Sequence, residues 1–116
     1  MKTLLWLDDY RNPFMDDWLV FSPIDIMDLK VIWVKGYDEF VDWIVNNGMP
    51  DGVAFDHDLA DFKDGDERTG LTCVKWLCNY CLDNKVKFPL YSFQSANPTG
   101  RENMESYIKS YKKNCE

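Results

Sequence analysis

The residues that could do chemistry lie in three short stretches, each directly after an apolar run. The stretches are Asp8-Asp9 with Arg11, then Asp56-His57-Asp58, and finally Gln94-Ser95-Ala96-Asn97 with Arg101 shortly after. Carboxylates that lie close together beside a core are costly unless a metal ion or a basic side chain pairs with them. These residue types therefore indicate a site that holds a cation.

The carboxylates predict a divalent-metal site. Asp8, Asp9 and Asp56 offer hard oxygen ligands, which favour Mg²⁺, Mn²⁺ or Ca²⁺ over zinc. Mg²⁺ usually takes one or two protein carboxylates, keeps several waters and binds phosphate oxygens. We therefore expect Mg²⁺ or Mn²⁺ at this site, together with a phosphate-bearing ligand.

Four residues predict the phosphate side of the site. Arg11 can bind phosphate in bidentate fashion through its planar guanidinium. Ser95, Asn97 and Arg101 surround the start of a helix predicted near Thr99, where backbone N–H groups and the helix dipole favour an anion. Each of these residues alone could equally serve a turn or a helix start. Their joint placement after predicted strands is what favours a functional site.

Asp56, His57 and Asp58 are the candidate catalytic residues. His57 is the only histidine of the chain, and imidazole is the side chain most used for proton transfer near neutral pH. If the strand continued, the His57 side chain would point away from those of its two neighbours. A catalytic role for His57 and a packing role against the sheet or the next loop both stay open.

Four apolar runs predict the strands that must position these residues. They are Thr3–Leu7, Val31–Lys35, Gly52–Phe55 and Pro89–Phe93. Near-continuous apolar runs of this length are typical of strands buried on both faces of a parallel sheet. Ligands of such sheets bind at the carboxyl ends of the strands, which is where the charged stretches fall.

Helical spacing of apolar residues predicts helices over Tyr37–Asn47 and Thr69–Asn84. A capping box at Thr99–Glu102 predicts the start of a third helix. The alternation of strands and helices predicts an α/β fold, a three-layer sandwich whose short, mostly parallel sheet of about four strands carries helices on both faces. We expect residues 1–116 to form a single domain.

Two segments depart from this alternation. Residues 10–29 carry two prolines and scattered aspartates, so we expect a mostly irregular crossover with at most a short helical turn. Its expected apolar anchors are Phe14, Trp18, Leu19 and Phe21. The acidic stretch DFKDGDE, residues 61–67, lacks the spacing of an EF-hand. It is expected to be a solvated, mobile loop rather than a second metal site.

The overall charge limits the possible partners. The net charge is −7, which repels the nucleic-acid backbone and excludes broad duplex binding, whereas a phosphate-bearing small molecule or an RNA end can still bind at a local basic spot. No apolar run is long enough to cross a bilayer, and the first residues do not resemble a signal peptide. We expect no membrane contact and a cytoplasmic location.

Three motifs resemble a known family. LWLDDYRNP, FDHDL and QSANPTGRENM, in this order, are similar to motifs of the cyclic-phosphate-processing receiver domains, small bacterial and phage proteins related to response-regulator receivers. The resemblance covers nearly the whole chain and implies a flavodoxin-like receiver fold. It implies that Asp8 and Asp9 are the metal-binding pair, that Asp56 stands where a receiver is phosphorylated, and that Ser95 and Asn97 lie near the switch hydroxyl.

The resemblance also implies a role in processing the cyclic phosphate ends of nucleotides or RNA. Two departures bear on it: Gln94 stands where the family pattern has histidine, and no further strand ending in lysine follows. The leading hypothesis is a metal-dependent phosphoesterase. The alternative is a non-catalytic receiver-like module that binds a phosphorylated ligand or a protein partner. A phospho-acceptor switch at Asp56 is less favoured because that lysine is missing.

Overall fold

The computed structural model describes residues 1–15, 17–25 and 27–115. In chain order the elements are β1 (Lys2–Leu7), a 3₁₀ helix (Trp18–Phe21), β2 (Leu29–Val34), α1 (Tyr37–Asn47), β3 (Gly52–Phe55), β4 (Asp61–Lys63), β5 (Asp66–Arg68), α2 (Gly70–Asn84), β6 (Leu90–Phe93) and α3 (Pro98–Cys115). Among these described residues, no helix is long and apolar enough to cross a membrane.

The main sheet is parallel and has the strand order β2-β1-β3-β6. Leu7 at the end of β1 pairs in register with Phe55 at the end of β3, and Phe55 pairs with Phe93 at the end of β6. The residues that follow these three strands therefore emerge side by side at one edge. The predicted α/β fold of receiver type is confirmed, and the predicted strand bounds differ by at most two residues.

One face of the sheet carries all three α-helices, so the prediction of helices on both faces was wrong: the crossover that covers the other face is too irregular to form an α-helix. The buried residues of this face come from alternate strand positions and from each helix: Leu5, Leu7, Val53 and Phe55 from the sheet, Phe40 and Ile44 from α1, Val74 and Leu77 from α2, Met104 and Ile108 from α3. The alternation of side chains along a strand separates these residues from the other face. This is the main core.

The opposite face is covered by the crossover, which is mostly irregular with one short 3₁₀ helix, as predicted. Its buried anchor is Ile24, which packs with Trp6 and Ala54 and fills the space above Gly52, where an added Cβ would lie 2.7 Å from the Ile24 Cδ1. Two of the predicted anchors were wrong: Phe14 is 66% exposed and Phe21 40% exposed. Trp18 and Leu19 do pack against this face, and residues 16 and 26 lie outside the described residues.

The acidic stretch forms a β-hairpin, so the prediction of a loop was wrong. β4 and β5 pair antiparallel, and Asp64 and Gly65 make the turn with φ of 54° and 84°. Arg68 holds the hairpin by ion pairs to Asp61 at 2.8 Å and to Asp38 of α1 at 3.0 Å. A turn with two positive φ angles suits the sequence Asp-Gly and the twist of a hairpin.

Candidate functional site

The three carboxylates of the predicted metal site lie together at the carboxyl edge. Asp8 and Asp9 follow β1, and Asp56 follows the neighbouring strand β3. One carboxylate oxygen from each residue lies within 4.8 Å of the other two. Asp8 is completely buried and Asp56 is 3% exposed. The parallel register of β1 and β3 is what brings the three carboxylates together.

Arg11 is the positive partner of these three carboxylates, Asp8, Asp9 and Asp56, which we call the acidic cluster. Its Nη1 lies 3.3 Å from Asp8 Oδ2 and 3.5 Å from Asp56 Oδ1, and the side chain is only 9% exposed. Burial lowers the pKa of Arg11, but the hydrogen bond and charge of Asp8, together with Asp56, outweigh it and raise the pKa. The residue predicted to bind phosphate therefore already pairs with two carboxylates.

Two tryptophans fix the loop that carries Asp8 and Arg11. The indole Nε1 of Trp6 donates to the carbonyl oxygen of Arg11 at 2.9 Å, and Nε1 of Trp33 donates to that of Asp8 at 2.8 Å. The Asp8 carboxylate also accepts the backbone N–H groups of Tyr10 and Arg11. Sequence reasoning missed both indoles. Trp6 and Trp33 are in register on adjacent strands, a pairing that the sequence alone does not give.

The acidic cluster is electrostatically costly in spite of Arg11. Burial raises the pKa of Asp56 from 3.8 to about 7, the charge of Asp8 pushes in the same direction, and Arg11 opposes both. Burial also raises the pKa of Asp9. A bound cation would stabilise the ionised carboxylates and lower both pKa values.

The residues present fit a divalent cation. Oδ1 of Asp9 and Oε1 of Gln94 are buried, and neither accepts a hydrogen bond from any residue that the structure describes. Buried acceptor oxygens are rarely left without a partner. The oxygens around one Mg²⁺ or Ca²⁺ ion span about 4 to 5 Å, which agrees with the 4.8 Å spread of the three carboxylates. Asp8, Asp9 and Asp56 are thus the residues that could hold the ion.

Gln94 joins three strands at this edge, a role that sequence reasoning did not assign. Its Nε2 donates to the carbonyl oxygen of Leu7 at 3.0 Å and lies 3.4 Å from Asp8 Oδ2 and 3.5 Å from the carbonyl oxygen of Ala54. Three acceptors surround the same atom, so the amide orientation is well determined. Gln94 is therefore a buried structural residue beside the acidic cluster.

His57 pairs with Asp58 on the other side of Asp56. Nδ1 of His57 lies 2.9 Å from Asp58 Oδ1, so the expectation that the two side chains point apart was wrong. The strand ends at Phe55, and its alternation no longer applies to the residues that follow. A Cβ atom on Gly100 would overlap the His57 ring, so the ring rests directly on the first turn of α3.

Asn97 completes this second group, which we call the imidazole cluster: His57, Asp58 and Asn97. The Asn97 Nδ2 donates to Asp58 Oδ2 at 3.2 Å, and its Oδ1 accepts the Gly100 N–H at 2.9 Å. Hydrogen bonds from His57 and then Asn97 lower the pKa of Asp58. Asn97 therefore caps α3, and the predicted capping box at Thr99 was wrong. Pro98 takes the first helical position, which suits its missing N–H.

The remaining two predicted phosphate ligands, Ser95 and Arg101, differ in their surroundings. Ser95 is 5% exposed, and its hydroxyl accepts the Asn97 N–H at 3.1 Å, which fixes the turn before α3. Arg101 is exposed and lines a pocket of about 250 Å³ with Phe93, Pro98, Glu102 and Glu105. Within the described part of the chain, no hydrogen bond or ion pair joins the Arg101 side chain to the acidic cluster.

Comparison with known proteins gives one family and one fold. The family model described as cyclic-phosphate processing receiver domain matches residues 3–110. A solved structure titled as the yeast Spc42 trimeric coiled coil, amino acids 181–211, fused to another structure matches with a TM-score of 0.55 and 16% identity. It covers 90% of this chain, which spans 60% of that one, and the likeness shows the fold alone. No curated protein matches the sequence.

Proposed function

Because the chain belongs to the cyclic-phosphate processing receiver domain family, we propose that it performs divalent-metal-dependent phosphate-ester chemistry at the carboxyl edge of its sheet. The family predicted from the three motifs is confirmed. The proposed reaction is the opening of cyclic phosphate ends of nucleotides or RNA by a single cytoplasmic domain. The observation that carries the proposal is the approach of Asp8, Asp9 and Asp56 to within 4.8 Å.

The acidic cluster forms the metal half of the proposed site. Asp8, Asp9 and Asp56 would hold Mg²⁺ or Mn²⁺. A bound ion supplies positive charge to phosphate oxygens and lowers the pKa of a bound water. Arg11 keeps N–H donors beyond the Nη1 that pairs with the carboxylates, and these can contact a phosphate oxygen next to the ion.

The imidazole cluster forms the proton-transfer half. A carboxylate can only accept a hydrogen bond, so the contact with Asp58 favours the tautomer of a neutral His57 that has its hydrogen on Nδ1 and the lone pair on Nε2. In the proposed reaction a water oxygen bonds to phosphorus while the bond to one ribose oxygen breaks. Nε2 accepts the proton of the water and returns one to the leaving oxygen, which yields a phosphate monoester beside a free hydroxyl.

Three further residues are proposed to bind phosphate. Ser95 and Asn97 lie immediately before α3, where the positive end of the helix dipole favours an anion. Arg101 is exposed on the first turn of that helix. It would contact a phosphate outside the reacting group, such as the next one of an RNA end.

A specific observation supports the non-catalytic alternative. Gln94 is an amide where the family pattern has imidazole, and Arg11 already neutralises part of the acidic cluster. A receiver-like module with these features would bind a phosphorylated ligand or a protein partner without turnover.

The test measures metal binding and ring opening together. We expect millimolar Mg²⁺ or Mn²⁺ to raise the melting midpoint and a panel of 2′,3′-cyclic nucleotides to be opened in its presence. Asp56→Asn should remove both effects. Asp42→Asn, which removes an exposed carboxylate of α1, is the matched control and should remove neither. A metal-dependent midpoint without turnover of any nucleotide would favour the binding module.

A further inference from the structure

Tyr10 places an exposed aromatic ring directly beside the proposed phosphate site. It follows Asp9 in the sequence and is 67% exposed. Its backbone N–H donates to Asp8 Oδ1 at 3.1 Å. The ring is thus attached to the same loop that carries two of the three carboxylates.

One side of the Tyr10 ring is held by Arg11. The guanidinium carbon lies 4.7 Å from the centre of the Tyr10 ring, a distance typical of a cation–π contact. Arg11 is itself fixed by its ion pairs with Asp8 and Asp56. A ring that is exposed but already ordered loses little conformational entropy when a ligand covers it.

The net charge of the chain makes such a ring useful. At a net charge of −7 the protein repels a phosphorylated ligand at long range. The charge of Arg11 is partly neutralised by its ion pairs with Asp8 and Asp56. Stacking of an aromatic ring on a nucleobase does not depend on net charge. Stacking of a base on Tyr10 would therefore add binding affinity that does not depend on the net charge of the protein.

We propose that Tyr10 is the stacking residue of a nucleobase subsite, and hence that the ligand is a nucleotide or a nucleotide end rather than a base-free phosphate ester. This inference rests on the proposed function, because it uses the same phosphate site. It adds a contact to the base of the ligand that the metal and imidazole clusters do not provide.

The experiment compares a nucleotide with a base-free phosphate. Adenosine 3′-monophosphate and glycerol 2-phosphate are titrated by calorimetry into the protein with Mg²⁺. The wild type should prefer the nucleotide. Tyr10→Ala should weaken nucleotide binding by about fivefold to a hundredfold and leave glycerol phosphate binding unchanged. Tyr10→Trp should restore the preference, which should persist when salt is added.

The control is Phe62→Ala, which removes a ring of 66% exposure from β4 and should not change either affinity. The melting shift with Mg²⁺ should be the same for Tyr10→Ala and the wild type, which shows an intact fold and metal site. Equal nucleotide binding by Tyr10→Ala and the wild type would overturn the subsite and leave the proposed function standing. Binding of neither phosphate by the wild type would overturn both.

Discussion

The carboxyl edge of the sheet is built differently on the two sides of Asp56. Towards β1 lies the acidic cluster, with Asp8 fully buried and Arg11 9% exposed. Towards α3 lies the imidazole cluster, in which the side chain of Asp58 is 61% exposed. Buried charges that lose a partner cost several kcal/mol, whereas exposed pairs contribute at most about 1 kcal/mol.

This difference separates two kinds of contribution. In the acidic cluster, positions that would bind the ion also hold the fold together, because Asp8 accepts two backbone N–H groups and pairs with Arg11. In the imidazole cluster, the hydrogen bonds that orient the side chains end on the exposed Asp58 carboxylate and therefore cost little to lose. Substitutions on the first side should therefore change stability and function together, and those on the second should change function alone.

The largest effect is expected for His57→Gln. If Nε2 transfers the proton, kcat for ring opening should fall by about a hundredfold to ten-thousandfold. The melting midpoint and its Mg²⁺ shift should stay close to those of the wild type, because glutamine can keep a polar contact to Asp58 and fill much of the space of a ring that is 14% exposed and lies on Gly100. Steady-state kinetics and melting curves of the same preparation measure both.

Unchanged kcat in His57→Gln would assign His57 to packing and remove the proton-transfer half of the proposal. A large drop of the melting midpoint would show that the imidazole cluster stabilises the fold as the acidic cluster does.

Asp8→Ala should have the next largest effect, and on stability. Among the described residues, the substitution leaves the buried Arg11 with Asp56 at 3.5 Å as its one carboxylate partner, and it removes the acceptor of two backbone N–H groups. We expect the free energy of unfolding to fall by about 3–5 kcal/mol, measured by urea denaturation. Asp42→Ala on α1 is the exposed control and should change it by less than about 0.5 kcal/mol. A loss below about 1 kcal/mol for Asp8→Ala would contradict the difference between the two sides.

The stability of the metal-free protein should depend on pH through the acidic cluster. Because the pKa of Asp56 is raised to about 7, the folded chain keeps a proton that the unfolded chain releases above its own pKa near 3.8. The free energy of unfolding should therefore fall as pH rises through this window, by up to about 1.4 kcal/mol per pH unit, and level off above pH 7. Urea titrations in EDTA measure it.

Metal binding should show the reverse dependence. Mg²⁺ competes with the proton of Asp56, so its affinity should rise by about tenfold per pH unit and level off above about pH 7. Asp56→Asn removes the titrating group and should flatten the stability curve over this window. An unchanged slope in Asp56→Asn would assign the titration to another group, and Asp9, whose pKa is also raised, is the first to examine.

The sheet and the edge that carries the candidate site could be predicted from the sequence. β3 and α1 have the predicted bounds, because a strand buried on both faces is a continuous apolar run and a helix on its face is a periodic one. The three strand ends followed from parallel topology alone. What apolar periodicity cannot predict are the contacts made by single polar atoms, such as the Gln94 amide and the two indoles that fix the Asp8 loop.

Two errors had readable signals. The Asp64-Gly65 pair marks the hairpin turn, and Asn97-Pro98 marks the start of α3. The pairing of His57 with Asp58 had none, since it depends on where the strand ends and on the closeness of Gly100. The acidic cluster was thus predictable from strand order, whereas the imidazole cluster depends on the local path of the chain.

The smallest effects are expected at Asp58, where Asp58→Ala and Asp58→Asn should each cost less than about 1 kcal/mol of stability. Water can replace the exposed carboxylate in Asp58→Ala, so kcat should fall by only about tenfold. In Asp58→Asn, kcat should fall further than in Asp58→Ala. The amide N–H₂ of asparagine can donate to Nδ1 of His57, which leaves the hydrogen of the ring on Nε2, the atom that has to accept the proton. If Asp58 only packs, the two variants should have the same kcat; an asparagine slower than an alanine at equal stability requires a working Nε2.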